Sequence, residues 1–454
     1  MSPLVPAVFR QEERFYAPFV AGAIFFGLGL GFPLGILIAH ALAQQGTLDG
    51  HLPQVLQLHG HLQLQGWFGL FVMGMGYRLV ARFTAVHVRP PWLVPLTFVL
   101  MAGGLALRAL SQPWAGDAPY AGLFAASATM EAAAALVFAA SIIRSLLRGR
   151  PERFVYSPFF AAGALWIAVA LFLNLWFVTD AARHSQPTIA SARSSAITFV
   201  QLYGFAVMFV LGVSLRTFPV FFGRREVARR PAIMAWTVAN AGIAAYTIAA
   251  IWRSYDDRDV LQALQGVGFA AAGSALVAMA FLLRVFQGSP HRLRQSAQRS
   301  MRFIRSAYAW LLLAGLLQAY YGLRALWAGR PPAHYETDAV RHFIAVGFVT
   351  TAIFGMAFLV LPRLAMRRIA GTPARLLAPS LLVLVNSAAL ARGIGSLLVN
   401  EARAETGFWT MSAGGVFGIL AVAAFVIYLA WNQPPPEIPV QARLTEPSQR
   451  GIVL

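Results

Sequence analysis

Nine histidines, 36 basic residues that are all arginine, and no cysteine set the chemistry open to this 454-residue chain. Without thiols, disulfides, thiolate metal sites, iron–sulfur clusters and cysteine nucleophiles are excluded. Imidazole is the strong metal donor that remains, and it suits haem iron and copper. His51, His87, His184, His291 and His334 fall between apolar runs and read as solvated loop residues. His40 closes the first apolar run and reads as an interfacial residue or an accessory ligand. His59, His61 and His342 lie at the starts of apolar runs, where an ionisable group is costly and usually functional. His59 and His61 are two apart, so they point about 200° apart on a helix and cannot both face one metal. One face carries His59, Gln63, Gly66, Leu70 and Met73, the other His61, Gln65, Phe68 and Val72. His61 and His342 together suggest a bis-imidazole haem clamped between two helices, with His59 as the alternative ligand. Such a haem is bound without thioether links, and its propionates need cations. Arg108 and Arg392 stand inside apolar runs, and Arg253 ends another. A bare Arg in lipid needs a partner, and propionates would serve. Glu131, also inside a run, can pair an arginine or relay protons.

The elements that position these residues are membrane helices. Hydrophobic residues make up 58% of the chain and charged residues 12%, about half the charge of a soluble domain. Windows of about 19 residues mark twelve spans, near 18–43, 57–80, 91–111, 119–147, 157–178, 197–221, 231–252, 260–286, 303–327, 339–362, 375–399 and 408–431. The loops after even-numbered spans are rich in Arg, and the odd loops hold most of the acids. The positive-inside rule then places both termini and the even loops in the cytoplasm. This also accounts for the net charge of +19 without nucleic-acid binding. The N-terminus shows no signal-peptide pattern. The segment 433–454, opening near three prolines, reads as a disordered cytoplasmic tail.

The chain repeats itself three times. Aligning spans 2, 6 and 10 on Gly66, Gly204 and Gly347 places a second glycine eight residues later in each, at Gly74, Gly212 and Gly355. The copies stand 138 and 143 residues apart, about four helices. The expected fold is an all-α integral membrane protein of 3 × 4 helices in a pseudo-threefold ring, one polytopic domain. Its units cover about 1–150, 151–290 and 291–432. A major-facilitator transporter would show two halves of six instead. Five residues before the first glycine stand His61, Phe199 and His342, so two of three equivalent positions are imidazole.

At these residues the chain resembles the NnrS family of bacterial membrane proteins. HGHLQLQGWFG in span 2 resembles that family's HxH segment, and HFIAVGFVTTAIFGM in span 10 its second histidine segment. Arg216–Pro219 resembles its Arg-x-x-Pro element, and Arg108 matches an arginine it carries in span 3. The likeness runs from Arg14–Phe15 to span 12. It implies a bacterial inner-membrane protein with haem and copper, acting in the response to nitric oxide and nitrosative stress. Span 2 is also similar to the catalytic subunit of haem–copper oxidases. That resemblance implies twelve helices in a threefold ring and a low-spin haem between helices 2 and 10. The sequence departs from the oxidase pattern. Span 6 has Gln201 and Tyr203 but no His, spans 7 and 8 have none, and span 10 has Val340 where a second His would stand. Leu62 replaces the acid of many NnrS members. The expected function is therefore a haem b protein handling nitric oxide, with copper a secondary expectation. The alternative is a redox enzyme subunit of the oxidase and nitric oxide reductase superfamily, which needs a second metal site. A small-solute or metal transporter is third. No loop can hold a cytochrome domain, so electrons must come from quinol or a separate protein.

Overall fold

The structure, a computed structural model, describes residues 16–149, 154–256, 258–288, 293, 295–364, 372–401 and 403–431. Arg14–Phe15, His291 and the tail 433–454 lie outside them. Twelve long helices account for nearly all of the described residues. They are α1 (Tyr16–Gln45), α2 (52–84), α3 (Leu93–Trp114), α4 (Tyr120–Arg148), α5 (Ser157–Arg183) and α6 (Ser191–Phe222). After these come α7 (Arg229–Arg253), α8 (Asp259–Leu282), α9 (Gln295–Ala328), α10 (334–364), α11 (Thr372–Asn400) and α12 (Ala404–Trp431). Ten of them are long and apolar enough to cross a membrane. The other two, α2 and α9, are as long but less apolar. In α2 the cause is His59, His61 and four glutamines, and in α9 it is Tyr, Trp310, Gln318 and arginine. Exposed Trp92, Trp114, Trp252, Trp327 and Trp409 stand at helix ends, the places an interfacial aromatic belt takes.

Consecutive helices pack side by side, and α12 packs on α1 to close the ring. Helices α2, α6 and α10 are central. Of the apolar windows in α6 and α10, 83% and 78% are buried, against 33% in α1, α3 and α11. All three central helices widen to π geometry, over Leu62–Gly69, Val200–Val207 and Phe343–Thr350. Each widening begins directly after an aligned position, His61, Phe199 or His342. The π segments of α2 and α10 both touch that of α6. The repeat glycines explain how the units close. A Cβ on Gly66, Gly204 or Gly347 would stand 2.6 Å from Phe26, Trp166 or Trp310 on the preceding helix. Gly74 and Gly355 meet Phe19 and Phe303 in the same way, and a Cβ on Gly212 would stand 3.1 Å from Phe160 and 3.3 Å from Phe159. Small residues let backbones approach where lipid supplies no hydrophobic drive between helices. The chain thus has the expected all-α, pseudo-threefold fold.

Candidate functional site

At the end of the bundle that carries the odd-numbered loops lies a cavity of about 430 Å³, within the ordinary range for a ligand site. Its wall includes His59, His61, Arg108, His342 and Arg392; Glu131 and Arg253, also singled out by the sequence, are not among its lining residues. His334 also lines it: the structure makes it the first residue of α10, not a loop residue. The reason is that α10 begins before its apolar window, with a polar first turn holding His334, Glu336 and Asp338.

His59 is set by α1. The chain there carries Gly27, Gly31 and Gly35 at four-residue spacing, and these meet Trp67, Gln63 and His59 of α2. Gly31 closes a further π segment, Phe25–Gly31, and its carbonyl accepts a hydrogen bond from His59 Nδ1–H at 2.7 Å. Gly35 leaves room for the ring: a Cβ there would lie 2.5 Å from His59 Cε1. With Nδ1 as donor, the lone pair stands on Nε2, and among the described residues Nε2 has no hydrogen-bond partner. The charged and titratable neighbours of His59 are Arg392, His342 and Asp338.

His342 follows the same logic on α10. Its Nδ1–H donates to the carbonyl of Asp338, one turn back, at 2.9 Å, and the Asp338 carboxylate lies 3.3 Å away. Its Nε2 accepts from Arg392 Nη2 at 2.9 Å. Ser396 Oγ donates to Asp338 Oδ2 at 2.7 Å, which ties α11 to α10.

His61 faces the other way, towards α3 and α4. Its Nε2 meets Glu131 Oε2 at 2.6 Å, with both side chains buried. Its charged neighbours are Arg108 and Glu131. Arg108 donates to Gln112 Oε1 at 2.9 Å and to Asn174 Oδ1 at 3.0 Å, and its guanidinium lies over the Phe124 ring. Gly104 gives Glu131 its place, since a Cβ there would stand 2.8 Å from Glu131 Cγ. The two-residue spacing of His59 and His61 therefore sorts them to opposite sides of one cavity. The internal repeat pairs His61 with His342, whereas the structure sets His59 beside His342. Arg253 lies apart from the cavity and donates to Gln265 at 2.6 Å.

The third equivalent position is filled. Phe199 stacks between Tyr203 at 4.2 Å and Tyr246 at 4.0 Å, and Phe269 closes the cluster at 5.7 Å from Tyr246. Aromatic rings thus occupy the space between α6, α7 and α8.

The residues present fit a haem. Two imidazoles on facing helices have Nδ1–H committed to backbone carbonyls, the arrangement that fixes the tautomer of a ligating histidine. Gly60, on the cavity wall, faces open space. Arg341 lines the same wall and suits a carboxylate, while Arg392 beside it is engaged with His342. An oxidase-type copper centre does not fit, because it needs several imidazoles around one point. Among the described residues no group of three or more His, Cys, Asp or Glu is placed to hold a metal ion.

Asp338 was legible in principle, four residues before His342 on one helix face. Glu131 and Asn174 as partners were not, being 70 and 66 residues from the groups they bond.

No protein-family profile matches the chain, and no curated protein matches it. Among solved structures it is similar to a haem–copper terminal oxidase, determined as a dimer by electron cryo-microscopy. The TM-score is 0.68 at 13% identity, covering 93% of this chain and 85% of that one. Likeness at that identity shows the fold: this chain has the architecture of a haem–copper oxidase.

Proposed function

We propose that the chain is a membrane haem protein that holds haem b between His59 and His342 and acts in nitric oxide and nitrosative-stress handling. The observation that carries the haem reading is the pair of imidazoles. Each has its Nδ1–H held by a main-chain carbonyl, at 2.7 Å and 2.9 Å, and both line one cavity. When bound, haem supplies one-electron chemistry and a binding place for a diatomic molecule. The chain does the rest. Gly31 and Gly35 seat the His59 ring. Asp338, braced by Ser396, orients His342. Arg341, on the same wall, offers a cation to a carboxylate. Trp67 and Phe68, both buried, keep water from the floor. The nitric oxide role is supported by the resemblance of HGHLQLQGWFG and HFIAVGFVTTAIFGM to the NnrS segments. Electrons would come from quinol or a separate protein. The enclosing partner is membrane lipid, taken to be the bacterial inner membrane with the Arg-rich loops in the cytoplasm.

The redox-enzyme alternative shares the fold. It requires a second centre, and the aromatic stack around Phe199 stands in the equivalent space.

The test is haem content, by pyridine haemochrome, with reduced-minus-oxidised spectra of detergent-purified protein. The wild type should carry near one haem b per chain and respond to nitric oxide titration. His59→Ala and His342→Ala should each lose or convert the haem signal, while His61→Ala should retain it. Haem-free wild type, or unchanged spectra in His59→Ala and His342→Ala, would defeat the assignment. Loss in His61→Ala and His342→Ala, with His59→Ala unchanged, would restore the His61–His342 pairing.

A further inference from the structure

His342 has one lone pair free for a partner, and that pair is taken. Its Nδ1 proton goes to the Asp338 carbonyl at 2.9 Å, so Nε2 is the acceptor. Arg392 Nη2 donates to that Nε2 at 2.9 Å. Arg392 is built into this position. Its side chain is 14% exposed, and the same Nη2 lies 3.5 Å from Asp338 Oδ2. Gly414 of α12 clears the space behind it, since a Cβ there would stand 2.9 Å from Arg392 Cγ. His59 has no such competitor: its Nε2 bonds to none of the described residues. The two ligands of the haem reading are therefore unequal.

An imidazole lone pair can serve an iron or an N–H donor, but not both. We propose that Arg392 is a ligand-exchange residue, which receives His342 when it leaves the iron and so keeps a coordination position open for a small diatomic ligand. This inference rests on the haem reading above. The exchange balances without proton transfer. With haem bound, the iron–nitrogen bond given up would be replaced by the N–H···N hydrogen bond from Arg392, and the imidazole would stay neutral with Nδ1–H on the Asp338 carbonyl. Arginine suits the task because it stays protonated and offers only donors. Asp338 holds both partners, so His342 does not swing away when released. Arg392 acts through His342 and is a positioning residue.

The experiment uses full-length haem-loaded protein in detergent, comparing wild type with Arg392→Leu and Arg392→Lys. Three quantities are read: haem per chain, the high-spin to low-spin ratio by electron paramagnetic resonance, and the rate of carbon monoxide binding to the reduced protein. In Arg392→Leu the haem content holds, the low-spin share rises, and carbon monoxide binds about tenfold more slowly. That factor is what a charge-assisted hydrogen bond of ordinary strength supplies. Arg392→Lys falls between the two, and it carries the test if the leucine variant fails to fold. Unchanged spin state and rate in haem-loaded variants would overturn the proposal while leaving the haem reading intact. So would loss of haem with the remainder spectrally normal, which would make Arg392 an anchor for the haem carboxylates. A wild type without haem instead removes the underlying reading.

Discussion

Glu131 is wholly buried, bonded to His61, and near enough to Arg108 to be its counter-charge. The other Arg108 partners, Gln112, Asn174 and the Phe124 ring, carry no charge. Removing one partner of a buried charged pair strands the other and costs about 3–5 kcal/mol. Glu131→Leu should therefore lower the thermal midpoint of the detergent-solubilised protein by many degrees. Glu131→Gln keeps a hydrogen-bonding group beside His61 and should cost less. Equal midpoints for Glu131→Leu and wild type would show that Arg108 is balanced by another group. At this scale the residue types were legible from sequence. A histidine, an acid or an arginine inside an apolar run announces itself by its cost. The two faces of α2 were legible as well, because 100° per residue follows from helix geometry alone. Which face met His342 was not. That depended on the Gly31 carbonyl, 28 residues from His59 and on another helix.

At the scale of elements, the approach of α1 to α2 controls His59. Gly35 admits the ring with nothing to spare, since an added Cβ would fall 2.5 Å from Cε1. Gly35→Ala should displace the imidazole and lower haem content several-fold, with the helix otherwise kept. Gly122 in α4 is the control, because a Cβ there meets nothing within 4 Å. Gly122→Ala should leave haem content unchanged and, by helix propensity, raise stability by up to about 1 kcal/mol. Haem loss in both variants, or in neither, would show that Gly35 does not set the ligand. The helices were legible as apolar windows, but their ends and their π widenings were not. The first turn of α2, with Pro53 and Gln54, and the polar first turn of α10 lie outside the apolar windows, so both helices begin earlier than hydropathy places them. A π segment is a change of hydrogen-bond register, which carries no residue-type signature. Only its glycines showed in the sequence.

For the whole molecule, the absence of cysteine gives a clean test of orientation. Arg89, between α2 and α3, and Gln186, between α5 and α6, are both exposed. Single-cysteine variants Arg89→Cys and Gln186→Cys report on opposite faces. A membrane-impermeant maleimide should label Gln186→Cys in intact spheroplasts and Arg89→Cys only after permeabilisation. The reverse pattern would invert the topology. The threefold plan has internal support in side-chain chemistry. Trp166 and Trp310 occupy equivalent positions and donate to Asn240 and Asn386, each at 2.7 Å. In the first unit the position is Phe26, which has no donor. The units share packing and differ at the aligned position, which holds imidazole at His61 and His342 and a stacked aromatic ring at Phe199.

The membrane character, the helical class, the repeat and the set of five cavity residues were written in the sequence. Each follows from quantities that are local or periodic: hydropathy over about 20 residues, glycine spacing, and ionisable groups in apolar runs. The assignment of partners was decided by tertiary structure alone. His59 with Gly31, His61 with Glu131 and Arg392 with His342 are contacts between different helices, 28, 70 and 50 residues apart in the chain. No periodicity encodes such a meeting. It is set by how closely glycines let α1 approach α2, and by the rotation that puts one histidine on each side of the cavity.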